Sequence, residues 1–148
     1  MPPLKRILLA EDSPQDVEMT LHALEEHRLC NEVVVASNGA EALDYLHSRG
    51  KFANHGNGYP VVVLLDLKMP KVDGLEVLRQ MKSDPDLRRI PVVMMTSSRE
   101  EQDLVRSYDL GVNAYVVKPV DFQQFVDSVS KLSCFWALIN EPPPSAKQ

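Results

Sequence analysis

The chain has 148 residues, a length that fits one domain with a single sizeable core. Hydrophobic residues make up 44% of it and charged residues 25%, which is typical of a globular protein and argues against a disordered or fibrous one. The formal net charge of −5 argues against nonspecific nucleic-acid binding, which depends on clustered Lys and Arg.

Short apolar runs alternate with segments of helical spacing along the whole chain. The order, with approximate bounds, is strand 6–10, helix 14–29, strand 33–36, helix 39–46, strand 61–65, helix 75–83, strand 91–95, helix 99–109, strand 113–117 and helix 121–139. Asn38-Gly39 opens the second helix. Residues 48–60 contain Gly, Asn and Pro at several positions, which predicts a surface loop.

Several helix boundaries carry recognisable start and stop signals. Ser13 and Pro14 suit the N-cap and the first helical position of the first helix. Ser98 stands three residues before Glu101, which predicts a capping box at the start of the fourth helix. Gly111 is placed to follow the end of that helix.

Five alternations of strand and helix define the fold class. They require a mainly parallel sheet with helices on both faces, joined by right-handed crossovers. Because the sequence shows no internal repeat and no second composition regime, we expect one doubly wound α/β domain over residues 1–140. The Pro-rich residues 141–148 are expected to form a short mobile tail.

Parallel order brings the carboxyl ends of all five strands to one edge of the sheet, where open α/β folds place their chemistry. The polar residues that stand there in the sequence are Glu11, Asp12, Asp66, Thr96 and Lys118. Asp66 is the best candidate for a reacting group, because it closes the most apolar run of the chain and such a run predicts a strand buried on both faces.

Three acids at one edge create a repulsion that a cation removes. Close, unpaired carboxylates raise the pKa of at least one of them. A divalent cation relieves that repulsion, and hard oxygen ligands with waters suit Mg²⁺. Lys118 and Thr96 then remain to hold an anionic group, so the set fits attack by Asp66 on a phosphoryl group.

On these residues the chain resembles a response-regulator receiver domain, the phospho-acceptor half of two-component signalling. The resemblance spans about residues 4–138 and rests on Glu11-Asp12, Asp66 within Leu-Asp-Leu-Lys-Met-Pro, Gly74, Thr96 and Lys118-Pro119. It implies a flavodoxin-like (βα)5 fold with strand order 2-1-3-4-5. It also implies a phospho-acceptor that signals through protein contacts or a phosphorelay, and not an enzyme acting on a free substrate.

The resemblance implies a metal site that shares the phospho-acceptor. Asp12, Asp66 and the backbone carbonyl of Lys68 would ligate Mg²⁺ or Mn²⁺, and Glu11 would contribute through water. No organic cofactor is implied.

The resemblance also implies a switch beside the phosphoryl group. Lys118 would pair with the phosphoryl oxygens on Asp66, and Thr96 would move to bond them. Tyr115 would then turn inward to fill the space that Thr96 leaves. Such an element has two states, and a local charge biases it towards one of them.

Softer features resemble those of stand-alone regulators that partner phytochrome-type histidine kinases. They are the insertion Asn54–Tyr59, the run Thr96-Ser97-Ser98 and the Cys-Phe-Trp sequence near the end of the last helix. A sensor histidine kinase of the phytochrome type is therefore the expected partner.

The sequence predicts a cytoplasmic protein with no membrane partner and no nucleic-acid partner. The first six residues are too short and too charged for a signal peptide. No apolar run reaches the roughly 18 residues that a membrane span requires. Cys30 and Cys134 have no CxxC spacing, which favours reduced, packed thiols.

The last predicted helix carries two apolar residues, Phe135 and Leu138, off the stripe that would face the sheet. Exposed apolar residues of this kind predict a homodimer contact or a kinase-docking contact, although isolated ones are normal and need no role.

Other interpretations of the same residues exist. Glu11 and Asp12 could complement a helix dipole, Thr96 could be a helix cap, and Tyr115 could be present only because strands favour tyrosine. A haloacid-dehalogenase-type enzyme would need an acid where Lys68 stands. A flavodoxin-like electron carrier would need a phosphate loop rich in glycine and hydroxyl groups after the first strand, where this chain has Glu-Asp-Ser-Pro.

Overall fold

Strand and helix alternate along the chain as the sequence predicts. The computed structural model describes residues 6–25, 32–56, 58–107, 110–112, 114–118, 123, 124 and 127. The elements are β1 (Arg6–Ala10), α1 (Pro14–Glu25), β2 (Glu32–Ala36), α2 (Gly39–Leu46), a 3₁₀ turn (Gly50–Phe52), β3 (Val62–Asp66), α3 (Gly74–Ser83), β4 (Val92–Thr96), α4 (Arg99–Ser107) and β5 (Ala114–Val117). Within these ranges no helix is both long and apolar enough to cross a membrane.

The five strands form one parallel sheet in the order β2-β1-β3-β4-β5, which confirms the expected fold. Every residue of β3 and β4 is buried, because helices cover both faces of the central strands. One apolar cluster lies on each face. Leu8, Leu65 and Leu78 belong to the first cluster, and Leu9 and Leu64 belong to the second.

Two strands end one residue later than their apolar runs. β3 runs to Asp66 and β4 runs to Thr96, so each polar residue closes its strand instead of following it. The reason is the parallel ladder, which pairs Asp66 with Met95 and Thr96 with Val117. Both side chains are therefore attached to backbone that is held by neighbouring strands.

The helix starts confirm the cap predictions. The Ser13 hydroxyl accepts a hydrogen bond from the Asp16 N–H at 3.3 Å, and the Ser98 hydroxyl accepts one from the Glu101 N–H at 3.2 Å. Asn38 caps α2 as expected. Asp73 caps α3, which the sequence analysis did not identify.

The helix ends are described less completely than the starts. α1 ends at Glu25 and α4 at Ser107 within the described residues, so the predicted extensions to residues 29 and 109 lie outside them. Gly111 has a φ of +75°, consistent with a place after a helix end. Of the last predicted helix, residues 123, 124 and 127 are described, and they are helical.

The predicted loop 48–60 contains more order than its composition indicates. It includes the 3₁₀ turn, and the ring of Phe52 meets Tyr45 of α2 edge to face at a centroid distance of 5.1 Å. The ring of His55 stacks on the ring of Tyr45, with the two ring centroids 4.2 Å apart. His55 Nε2 also lies 3.0 Å from the Tyr45 carbonyl oxygen. These contacts fasten the loop to α2.

The segment between β3 and α3 is built without room for extra side-chain atoms. The Gly74 N–H donates to the Leu67 carbonyl at 2.8 Å, and a Cβ on Gly74 would collide with the Asp66 carbonyl oxygen. A Cβ on Gly39 would collide with the carbonyl of Val72 in the same segment. Close backbone approach therefore fixes the chain that leaves Asp66.

Replacing Lys71 by glycine is expected to stabilise the protein. Lys71 has a φ of +67°, a left-handed conformation that costs a residue with a side chain about 1–2 kcal/mol. We expect Lys71→Gly to raise the free energy of unfolding by roughly 1 kcal/mol in urea titrations, because glycine adopts this conformation without the steric cost.

Lys68→Gly is the matched control, because Lys68 lies exposed in the same segment and its φ is not positive. It removes the same charge and should leave stability unchanged or lower it. Equal effects of the two substitutions would contradict the assignment of strain to Lys71.

Candidate functional site

The five candidate residues come together at the carboxyl edge of the sheet. Glu11 directly follows β1, and its N–H donates to the Ala36 carbonyl at 3.0 Å. Asp66 and Thr96 close β3 and β4. Lys118 directly follows β5, and its N–H donates to the Thr96 carbonyl at 2.8 Å. The strand ladder therefore positions each of these residues through its backbone.

Glu11, Asp12 and Asp66 form a cluster of carboxylates that fits a hard divalent cation. One oxygen from each residue can be chosen so that all three lie within 4.8 Å of one another. Glu11 and Asp66 are buried, with 1% and 4% of their surface exposed, whereas Asp12 is exposed. An all-oxygen set that is open on one side suits Mg²⁺ or Mn²⁺ with retained waters.

Burial and neighbouring carboxylates raise the pKa values of the two buried acids, Glu11 and Asp66. Burial first, and the charge of Asp66 second, raise the pKa of Glu11 to about 7. Burial also raises the pKa of Asp66, although the charge of Lys118 opposes that change. The result agrees with the expectation that clustered carboxylates raise the pKa of at least one member.

Lys118 is the cation that the structure places among these acids. Its Nζ lies 3.1 Å from Glu11 Oε1, 3.1 Å from Asp66 Oδ1 and 3.0 Å from Asp16 Oδ2. Burial alone would lower the pKa of Lys118, but the hydrogen bond to Asp16 and the charge of Asp66 outweigh it, and the pKa is raised. Lys118 is therefore a permanent ammonium at neutral pH.

Asp16 is the site residue that the sequence analysis missed. It lies in the first turn of α1, where an acid is expected for its effect on the helix dipole alone. A signal was present, because Asp16 stands one helical turn after Ser13, and α1 begins at the strand-end edge. Sequence spacing does not reveal its contact with Lys118, which is 102 positions away.

Thr96 has a buried hydroxyl that makes no hydrogen bond to the described part of the chain. Its residue exposure is 0%, and Oγ1 has no partner among the residues that the structure describes. Because Ser98 caps α4, the alternative interpretation of Thr96 as a helix cap is wrong. A buried hydroxyl without a partner is costly, so such an atom needs an explanation.

The remaining candidates lie near the cluster or outside the described residues. Tyr115 is half-buried in β5, opposite Met94, and packs against the apolar cluster of Leu65 and Leu78. Lys68 lies exposed two residues after Asp66. Phe135, Leu138 and the segment 141–148 lie outside the described residues, and the predictions for them stay predictions.

Comparison with known proteins identifies a single family over most of the chain. The model of the response regulator receiver domain matches residues 7–130. Response regulator Rcp1 of Synechocystis sp. is 38% identical over 134 residues, which cover 90% of this chain and 90% of Rcp1. The structure of the Mn²⁺-bound form of Rcp1 aligns with a TM-score of 0.71 and covers 90% of this chain and 94% of that one.

Two further solved structures are more similar to this chain than Rcp1 is. The bacteriophytochrome response regulator AtBRR is 64% identical, has a TM-score of 0.89, and the match covers 95% of this chain and 100% of that one. The bacteriophytochrome response regulator RtBRR is 60% identical with a TM-score of 0.87, and the match covers 97% of this chain and 87% of that one.

Removing the Lys118 ammonium is expected to destabilise the metal-free protein strongly. Lys118→Met leaves buried carboxylates without their counter-charge, and breaking a buried ion pair costs about 3–5 kcal/mol. We expect a loss near the lower figure in urea titrations with EDTA. Adding Mg²⁺ should reduce the loss, because a bound cation restores positive charge to the cluster.

Lys51→Met provides the comparison, because Lys51 pairs with Glu41 at the exposed surface. Its loss should stay below about 1 kcal/mol and should not respond to Mg²⁺. A similar loss for both variants would contradict the role assigned to Lys118.

Replacing the Thr96 hydroxyl by a methyl group is expected to stabilise the protein. Thr96→Val keeps the side-chain shape and removes a buried hydroxyl without a partner. A gain of about 1 kcal/mol in the free energy of unfolding is expected. Thr96→Ser keeps the hydroxyl and removes the methyl group, so it should lose about 1 kcal/mol instead. Destabilisation by Thr96→Val would show that the hydroxyl has a partner.

Proposed function

Because the chain belongs to the response regulator receiver domain family, we propose that Asp66 accepts a phosphoryl group from a histidine residue of a partner kinase. The chain is a receiver-domain response regulator related to phytochrome response regulators. The observation that carries the assignment to Asp66 is its place in the site. Asp66 is buried, closes the central strand β3, and meets both the Lys118 ammonium and the other acids of the cluster, whereas Glu11 follows the outer neighbour β1.

The reaction is a transfer between two side chains. An Asp66 carboxylate oxygen attacks phosphorus, and the N–P bond of the phosphohistidine breaks as its electron pair returns to the imidazole nitrogen. The product is an acyl phosphate on Asp66. Water later breaks its P–O bond and regenerates the carboxylate and inorganic phosphate. The protein thus promotes its own phosphorylation and dephosphorylation, and acts as a signalling phospho-acceptor.

Three residues support the transferred group and report its presence. Lys118 stands 3.1 Å from Asp66 Oδ1, within reach of the phosphoryl oxygens that will form there. Thr96 carries a hydroxyl that has no partner among the described residues and is free to donate to one of those oxygens. Tyr115 turns towards the space that Thr96 leaves and carries the change to the surface.

Asp12, Asp66 and the carbonyl of Lys68 would hold Mg²⁺ or Mn²⁺, and Glu11 would contribute through water. The donor set fits the ion because it is built from carboxylate oxygens around an open side. The ion supplies charge neutralisation to the transferring oxygens. The Mn²⁺-bound form of Rcp1 supports this assignment.

The partner is a sensor histidine kinase of the phytochrome type. The likeness to the bacteriophytochrome response regulators AtBRR and RtBRR supports this choice, since both are at least 60% identical to this chain.

The receiver domain spans residues 1–140, the segment 141–148 is its tail, and the protein works in the cytoplasm. A homodimer contact through Phe135 and Leu138 is part of the same proposal.

Phosphorylation by a small donor tests the assignment. Acetyl phosphate with Mg²⁺ should produce a slower-migrating band on a phosphate-affinity gel, and EDTA should prevent it. Asp66→Asn should abolish the band, because an amide does not attack phosphorus. Asp86→Asn, a change at an exposed aspartate that is not in the acid cluster, should behave as wild type.

A band that persists in Asp66→Asn would sink the assignment to Asp66. The same gel with an autophosphorylated phytochrome kinase as donor tests the partner. Transfer that is no faster than from an unrelated histidine kinase would count against the phytochrome type while leaving the acceptor assignment in place.

A further inference from the structure

The acid at the third position after the cap is used differently in α1 from its counterparts in α2 and α4. In α2, Glu41 Oε1 accepts a hydrogen bond from the Ser37 N–H at 3.1 Å. In α4, Glu101 Oε2 accepts one at 3.2 Å from the N–H of Ser97, the residue before the cap. In α1, Asp16 holds the same third position after the cap, but its Oδ2 accepts from Lys118 Nζ at 3.0 Å.

The start of α1 does not need the Asp16 carboxylate. The Ser13 hydroxyl caps the Asp16 N–H, and the Ser13 N–H donates to Glu11 Oε2 at 3.3 Å. The side-chain hydrogen bonds at the start of α1 are therefore made by Ser13 and Glu11 and not by the Asp16 carboxylate. The Asp16 side chain is left to interact with Lys118.

The three carboxylates around Lys118 lie at different depths. Glu11 and Asp66 have side-chain exposures of 0% and 6%, whereas Asp16 has 32%. Asp16 therefore pulls the ammonium outwards, against the inward attraction of the two buried acids. Without Asp16, the ion pairs left to Lys118 among the described residues are those with the buried Glu11 and Asp66. They would draw the ammonium onto the carboxylates that a phosphoryl group has to approach.

We propose that Asp16 is a positioning residue for Lys118, holding its ammonium at the mouth of the site where the phosphoryl oxygens arrive. The inference rests on the proposed function, because it concerns transfer to Asp66. Asp16 is not one of the clustered carboxylates and acts through Lys118 alone. The pair is also the largest of the interactions that raise the pKa of Lys118.

Phosphorylation kinetics with acetyl phosphate and Mg²⁺ test the proposal. In this step an Asp66 oxygen bonds to phosphorus, and the acetate leaves with the electron pair of the broken P–O bond. Asp16→Ala should lower the maximal rate about ten-fold, because a misplaced group costs transition-state stabilisation. The donor concentration at half-maximal rate should stay unchanged, and Asp16→Glu should restore most of the rate.

Glu18→Ala is the matched control, since Glu18 is an exposed acid on the same helix. It should phosphorylate as wild type. If Asp16→Ala matches Glu18→Ala while wild type is phosphorylated on Asp66, the inference is overturned and the proposed function stands. A wild type that accepts no phosphoryl group would overturn both.

A double substitution shows whether Asp16 acts through Lys118. In the Lys118→Met protein, Asp16→Ala should cause no further loss of rate, because residues that act as a unit are not additive. The same ten-fold loss in both backgrounds would overturn the proposal, since Asp16 would then act without the lysine.

Direct titration with Mn²⁺ gives a readout that does not depend on phosphorylation. Asp12→Asn should weaken Mn²⁺ binding, because Asp12 belongs to the carboxylate cluster. Asp16→Ala should weaken Mn²⁺ binding much less than Asp12→Asn, because it removes no carboxylate of the cluster. Equal weakening in the two variants would assign Asp16 to the metal and overturn its role as a positioning residue for Lys118.

Discussion

The ammonium of Lys118, shared by three carboxylates, is the interaction on which the rest of the site depends. The parallel sheet places β1 beside β3, so Glu11 and Asp66 meet in a region that water barely reaches. Two buried carboxylates within 4.8 Å of each other are unstable without a nearby positive charge. Lys118 comes from β5 and reaches across the end of β4 to supply it. The same side chain therefore stabilises the fold and joins three strand ends into one site.

The site combines a fixed backbone with one side chain, that of Thr96, whose hydroxyl is available for a new hydrogen bond. The hydrogen-bonded ladder continues through Asp66 and Thr96. The close approach of Gly74 to the Asp66 carbonyl fixes the chain that follows Asp66. Asp66, the proposed nucleophile, is thus held in place before any ligand arrives, which is the condition for efficient transfer. Thr96 differs, because its backbone is fixed while its hydroxyl has no partner among the described residues. New negative charge beside Thr96 can recruit that hydroxyl without disturbing the sheet.

Apolar runs and helix caps are local signals, and they predicted the parallel sheet and the five strand-end residues. The order of the strands was predicted from the resemblance to receiver domains. Sequence reasoning placed Asp66 and Thr96 just after their strands, since apolarity ends one residue before the hydrogen-bonded ladder does. It missed Asp16, because the contact with Lys118 depends on how α1 leaves β1 relative to the end of β5. The left-handed conformation of Lys71 was also hidden, since lysine gives no signal for it.

The aromatic attachment of residues 48–60 to α2 separates two parts of the molecule. Tyr45, Phe52 and His55 hold this segment before β3 begins, at the opposite end of the sheet from Asp66. A change in the length or sequence of the segment is therefore absorbed where it arises and leaves the acids and Lys118 in register. Substitutions at this end of the protein can therefore change the surface it presents without moving the acids and Lys118 at the far end.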